Sequence, residues 1–355
     1  MLLRKFPSIE QFRHVVKDVT HHAEYIGQDE NDKPIYDASR PKPKLTFTGT
    51  VKLHGTNCGV MFDLAENRVL AQSRERFLSA EEDNFGFCQW VESEDGSTKM
   101  ACLRAGVLEA IEPSASLRSV HVFGEWCGPQ VNGKTGIGKL PLRWVIFSVL
   151  ATDAEGEETW LDVEPVARAW AVTHLNENSA GPQLHFITDF PQFSAEIDFN
   201  DPGACLDTLE RLTLEVEEAC PVARALGGDG IGEGIVWACK DSTYGRHAFK
   251  VKGAKHKGTR SKRLVEVAPE VIAGLEAFAD AVLTESRLEQ GFDLIRAEHG
   301  KVTEDHIGVF LMWIGRDVLK EESDTLAASG LDKKKAMGKI NHRAKAWLMP
   351  RLAKF

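Results

Sequence analysis

Polar and apolar residues alternate through Leu45-Thr46-Phe47-Thr48-Gly49-Thr50-Val51, the period of a half-buried strand. Cys58–Leu64 and Arg68–Gln72 repeat that texture around Ala65-Glu66-Asn67 and predict a hairpin. Ser119–Glu125, Arg143–Leu150, Gly230–Trp237 and Arg246–Lys252 are further strand candidates, rich in Val, Ile, Phe and Trp. Helical spacing is sparser in this part of the chain. Ser8–Val19 predicts a short helix capped by Ser8, with Ile9, Phe12, Val15 and Val16 on one face. Leu103–Ile111 and a stretch within Pro202–Leu226 are the other helical candidates, and Gly27–Lys44 is a polar loop or loose hairpin.

The pattern changes after Lys252. Lys255-His256-Lys257-Gly258-Thr259-Arg260-Ser261-Lys262-Arg263 is basic and free of acids, which predicts a linker over about 254–264. Beyond it the chain reads as helix. Pro269 opens a stripe of Val271, Ile272, Leu275, Phe278, Ala279, Val282 and Leu283. Thr303 caps a helix carrying Ile307, Phe310, Leu311, Ile314 and Val318, and a last helix spans Asp332–Leu348 with Met337, Ile340, Ala344 and Trp347 inward. The expected architecture is α+β. A domain of mainly antiparallel sheets covers 1–258, with a lead-in segment at 1–44, and a small all-helical domain covers 265–355.

Composition narrows the class. The 355 residues carry a net charge of −10, so any nucleic-acid affinity must come from local patches. The linker and Lys333, Lys334, Lys335, Lys339, Arg343 and Lys345 are such patches, the latter alternatively a solvated helix face. Seven scattered cysteines form no C-x-x-C pair, which argues against a zinc site or disulfide framework and for a reducing compartment. No apolar run approaches a membrane span, and the start is charged too early for a signal peptide. The expectation is a cytoplasmic monomer, in a bacterial cytosol or a host cytosol if phage-encoded.

Candidate chemistry lies in six ordered elements. Lys52-Leu53-His54-Gly55-Thr56-Asn57 sets a lysine at a strand end and a glycine three residues on, where a ligand can approach the backbone. A lysine nucleophile must lose its proton, which cationic neighbours or desolvation promote. Lys250-Val251-Lys252 places two amines on one strand face. Between them lie Ser73-Arg74-Glu75-Arg76, Phe123-Gly124-Glu125, Trp144-Val145-Ile146-Phe147 and Glu233-Gly234-Ile235-Val236. Each has a plain structural alternative: a strand end, a charged turn, a core aromatic or a solvated sheet face. Their order together suggests a covalent nucleotidyltransferase.

The ordered set resembles the ATP-dependent RNA ligases of the phage T4 RNA ligase 2 type, from about Leu45 to the C-terminus. The His-Gly-Thr-Asn form after Lys52 is similar to RNA ligases rather than DNA ligases, and Glu82-Asp83-Asn84-Phe85-Gly86 resembles the family's next block. The resemblance implies the following roles. Lys52 attacks the α-phosphorus of ATP to form lysyl-AMP. Lys250 and Lys252 neutralise the α-phosphate and depress the pKa of Lys52. Glu125 binds the ribose hydroxyls, Phe147 and Val236 sandwich adenine, and Glu233 holds Mg²⁺ (or Mn²⁺). Arg74, His54 and Gly55 belong to the nucleotide site, while Asn57, Arg74 and Arg76 position RNA ends. AMP then passes to a 5′-phosphate, and a 3′-hydroxyl displaces it to seal the strand. Val51 and Ala238 stand where relatives carry an acid and a lysine, and Trp237 is bulkier than expected. The alternatives are a DNA ligase or capping-type enzyme, in which a β-rich OB module would follow Lys252, and an inactive RNA-binding protein of ligase fold. Which RNA is joined (nicked duplex, tRNA or single strand) is not specified by these residues.

Overall fold

The computed structural model describes residues 2–111, 116–173, 181–253, 255–256 and 274–352. In chain order the elements are α1 (Phe12–Glu24), β1 (Tyr25–Gln28), β2 (Pro34–Tyr36), β3 (Lys44–Lys52), β4 (Thr56–Asp63), β5 (Arg68–Ser73), α2 (Phe87–Glu92), α3 (Glu94–Glu109), β6 (Leu117–Cys127), α4 (Pro129–Asn132), β7 (Arg143–Asp153) and β8 (Glu158–Leu161). Then follow α5 (Val163–Thr173), β9 (Gln183–Phe186), β10 (Gln192–Asp198), α6 (Leu206–Glu218), α7 (Pro221–Ala225), β11 (Gly234–Asp241) and β12 (Gly245–Lys252). The tail holds α8 (Leu275–Val282), α9 (Glu285–His299), α10 (Ile307–Ala328) and α11 (Lys333–Leu348). The fold is α+β with antiparallel sheets and a helical C-terminal region, as expected. Strand β9 pairs with β7 in parallel.

Two compact units form, each from separate stretches of chain. The first gathers Met1–Ser8, Thr50–Gln192 and Glu218–Glu233. Its sheet runs β5-β4-β6-β7-β8, with β9 added beside β7. One face of the sheet is covered by α2, α3 and α5 over a core that includes Phe87, Trp90, Leu103, Val107, Trp126 and Trp144. On β6 and β7 the alternate positions carry Phe123, Glu125 and Phe147. Phe6 lays its ring 5.6 Å from that of Phe123 and 4.9 Å from that of Phe147.

The second unit gathers Ile9–Gly49, Phe193–Glu217 and Gly234–Phe355. Its sheet has the order β10-β3-β11-β12, and the chain of β3 continues into the first unit at Thr50. Helix α1 packs on β12, with Phe12 4.7 Å from Phe249 between ring centroids. Trp237 is fully buried, and its ring lies against Gly49, where a Cβ would come within 2.8 Å of it. The bulk of Trp237 is therefore matched by the missing side chain on β3. Helices α8–α11 close on Phe278, Val282, Phe310, Ile314, Ile340 and Ala344.

Several boundaries differ from expectation. Helix α1 begins after Gln11, not Ser8, because Glu10 is drawn into backbone pairing with Ala248 and Lys250 of β12. Residues 230–233 are not strand: Ile231 gives its carbonyl to Gly136 N–H, and β11 begins at Gly234. Thr303 caps a short 3₁₀ turn before α10, while Asp332 caps α11 by accepting from Lys335 N–H. The linker over 254–264 falls mostly outside the described residues, as do Pro269, Val271 and Ile272. All seven cysteines are free. No described helix is long and apolar enough to cross a membrane.

Candidate active site

Lys52 ends β3, and after three intervening residues β4 begins and pairs with β6 so that Asn57 faces Glu125. The turn between them must pass tightly over β6. A Cβ on Gly55 would sit 2.2 Å from the Trp126 carbonyl oxygen, so no larger residue fits without moving backbone. That closeness lets Gly55 N–H donate to Glu125 Oε1 at 3.0 Å. The acid predicted for the ribose is thus anchored by the glycine of the lysine motif.

Lys52 Nζ donates to Glu233 Oε2 at 2.7 Å, joining residues 181 apart in sequence. The Glu233 side chain is 3% exposed and that of Lys52 22%, so the pair is largely out of water. His54 Nδ1 stands 3.8 Å from the same Glu233 oxygen. Burial works to strip the Lys52 ammonium of its proton, but Glu233 and then Glu125 outweigh it and raise the pKa above the ordinary lysine value. This corrects the expected direction: the Lys52 ammonium is held charged. Glu125 moves upward too, to about 7, chiefly through burial. Lys52, Gly55 N–H and Arg74 oppose the shift, and Glu233 adds to it.

The flanking block Glu82–Gly86 supports this turn from behind. Asn84 Nδ2 donates to Thr56 Oγ1 at 3.1 Å, and Phe85, at φ 54°, accepts from Trp126 Nε1 at 3.0 Å. Asp83 receives the Cys88 and Gln89 backbone N–H groups and starts α2. Asn84 is thus a site residue that the expected roles passed over, although its block had been noted.

Arg74 follows β5, donates to Ser8 Oγ at 2.9 Å and exerts its charge on Glu125. Arg76 is turned elsewhere, with Nε 3.6 Å from Glu82. Phe147 is partly exposed on the Glu125 face of the sheet, edge-on to Phe6.

In the second unit, Val236 pairs with Lys250 and Gly234 with Lys252 across β11 and β12. Gly234 has φ 151°, and a Cβ there would lie 2.2 Å from Val251 carbonyl oxygen, which accounts for the glycine after Glu233. Lys250 and Lys252 share a strand parity, as their spacing predicted. Lys250 Nζ is taken by Glu321 Oε1 of α10 at 2.7 Å. Nothing in the spacing around Glu321 signalled that contact, because acids recur along α10 at ordinary helical intervals.

Glu233 and Glu125 supply hard oxygen donors, and no described group of three or more His, Cys, Asp or Glu could hold a metal ion. A single carboxylate such as that of Glu233 suits Mg²⁺ or Mn²⁺, which complete their shell with water and phosphate oxygens, and not a closed protein cage.

A family model described as RNA ligase matches residues 45–252. No curated protein matches the chain. Among solved structures, a mutant of Naegleria gruberi RNA ligase with ATP and Mn is similar at TM-score 0.41 and 14% identity, over 71% of this chain and 56% of that one. The same ligase with PPi gives TM-score 0.36 and 16% identity, over 71% and 58%. The chain therefore spans somewhat over half the length of these ligases. The matched family segment takes in well over half of the 355 residues and every motif from Lys52 to Lys252, and the chain belongs to the RNA ligase family.

Proposed function

We propose that the chain is an ATP-dependent RNA ligase of the phage T4 RNA ligase 2 type, with Lys52 as the adenylylated residue. The observation that carries this reading is the buried Lys52–Glu233 contact beside Glu125. Few structural roles need a lysine between two acids whose own repulsion it offsets.

In this reading the Lys52 ammonium loses its proton and Nζ attacks the α-phosphorus of ATP. An N–P bond forms, the bond to pyrophosphate breaks, and lysyl-AMP results. Charge builds on the α-phosphate, which Lys250 and Lys252 neutralise. Glu125 takes the ribose hydroxyls, Phe147 and Val236 bracket adenine, and His54 and Gly55 line the nucleotide. A divalent cation held by Glu233 would polarise the phosphate and offset the acid that keeps Lys52 charged. AMP then moves to an RNA 5′-phosphate, positioned by Asn57, Arg74 and Arg76, and a 3′-hydroxyl expels it. The substrate is RNA with those two ends, and the protein acts as a cytoplasmic monomer in RNA repair. The division proposed is an adenylylation domain over 1–258 and a helical domain over 265–355.

Every described element after Lys252 is helical, which favours this reading over DNA ligase or capping enzymes with an OB module. Incubation with labelled ATP and Mg²⁺ or Mn²⁺ should give a covalent adduct that Lys52→Ala abolishes. An adduct surviving that substitution, or label taken from GTP instead, overturns the assignment. Absence of any adduct favours an inactive RNA-binding protein.

A further inference from the structure

Lys250 is one of two cations expected to meet the nucleotide phosphate, yet its ammonium is already bound. Glu321 Oε1 accepts from it at 2.7 Å, and Gln11 Nε2 holds Glu321 Oε2 at 2.5 Å. The Lys250 and Glu321 side chains are only 18% and 13% exposed. Burial alone would raise the Glu321 pKa, but Lys250 and Gln11 hold it at about 2, so the carboxylate is charged under all working conditions.

The backbone is also arranged around this contact. Helix α10 breaks at Glu322, with φ −131° and ψ 15°. The Glu321 carbonyl accepts from Arg13 Nη2 at 2.6 Å and Gln11 Nε2 at 3.1 Å. Arg13 continues to Asp324 at 3.0 Å, and Arg287 Nε reaches Asp317 at 2.7 Å. A helix interruption, two side chains from the stretch before and within α1, and a strand lysine thus converge on one glutamate.

We infer that Glu321 acts through Lys250 as an exchangeable counter-ion: it positions the lysine in the free protein and yields it to the nucleotide phosphate. Binding of ATP and the Glu321 contact then compete for one ammonium. This rests on the ligase reading above.

The test is the ATP dependence of lysyl-AMP formation. Glu321→Gln keeps shape and removes the competing charge, so KM for ATP should fall about tenfold, the worth of roughly one charge-assisted hydrogen bond. Glu321→Asp, which keeps the charge, should stay near wild type. In a Lys250→Met background, adding Glu321→Gln should leave KM where Lys250→Met alone puts it. Gln11→Ala, which loosens the carboxylate without altering its charge, should lower KM by a smaller factor and serves if Glu321→Gln does not fold. A KM unchanged or raised in Glu321→Gln, or lowered equally without Lys250, overturns the inference and leaves Glu321 a mere tether. A wild-type chain that forms no adduct overturns the ligase reading and the exchange with it. A wild-type adduct alongside an unmoved KM overturns the exchange alone.

Discussion

Lys52, Glu233 and Glu125 form a triad in which two acids share one cation, and the electrostatics of each follows from the others. Glu125 is the readable member. Its proton is held to about pH 7 in the folded chain, against the ordinary value of 4.5. Between those values the folded state binds more protons than the unfolded one, so stability should fall as pH rises from about 4.5 to 7. Glu125→Gln should lack that fall, a difference of roughly 3 kcal/mol across the window, measurable by urea melts at several pH values. An unchanged slope would mean that Glu125 is not a buried acid in solution. The three residues were singled out by the strand–glycine–acid spacing together with the family resemblance. The direction of the Lys52 shift was not legible, because it depends on which charges are near in space. Spacing pointed to Lys250 and Lys252 as the neighbours that set it, whereas the carboxylate of Glu233 makes the contact.

At the scale of elements, glycine explains more of the motifs than the charged residues do. Gly55→Ala would drive a methyl into the Trp126 carbonyl. It should cost about 2 kcal/mol or more in denaturant stability and remove most adduct formation, since the Glu125 anchor moves with the turn. A variant of wild-type stability would show that the turn has room to relax. The β4–β5 hairpin was legible because two strand-like runs and a short turn leave one register, closed in the structure by the pair Asp63 and Arg68. The start of α1 was not: Ser8 is a good cap by local chemistry, but pairing of Glu10 with β12 overrides it. Trp237 looked oversized for its strand until Gly49 supplied the space, a complementarity between residues far apart in sequence.

Over the whole molecule, the acidic average hides unequal use of the basic residues. Two cations of α11 are committed to α8: Lys339 pairs with Glu276, and Arg343 with both Glu276 and Asp280. Replacing Lys339 and Arg343 by alanine should cost under about 1 kcal/mol and leave the salt slope of RNA binding unchanged. Lys333, Lys334 and Lys335 are exposed in the first turn of α11, where the helix dipole disfavours them. Their joint replacement by alanine should lower that slope by roughly two, read from affinity against salt concentration. A slope that follows Lys339 and Arg343 instead would reverse the assignment. The assembly of the first unit from separate stretches of chain also has a temporal consequence. Lys52 and Glu233 are 181 residues apart, so at about 5–20 residues per second the lysine leaves the ribosome roughly 9–36 s before its partner. Throughout that interval the emerging chain carries the amine without the carboxylate of Glu233, and the contact forms only when β11 is ready to follow.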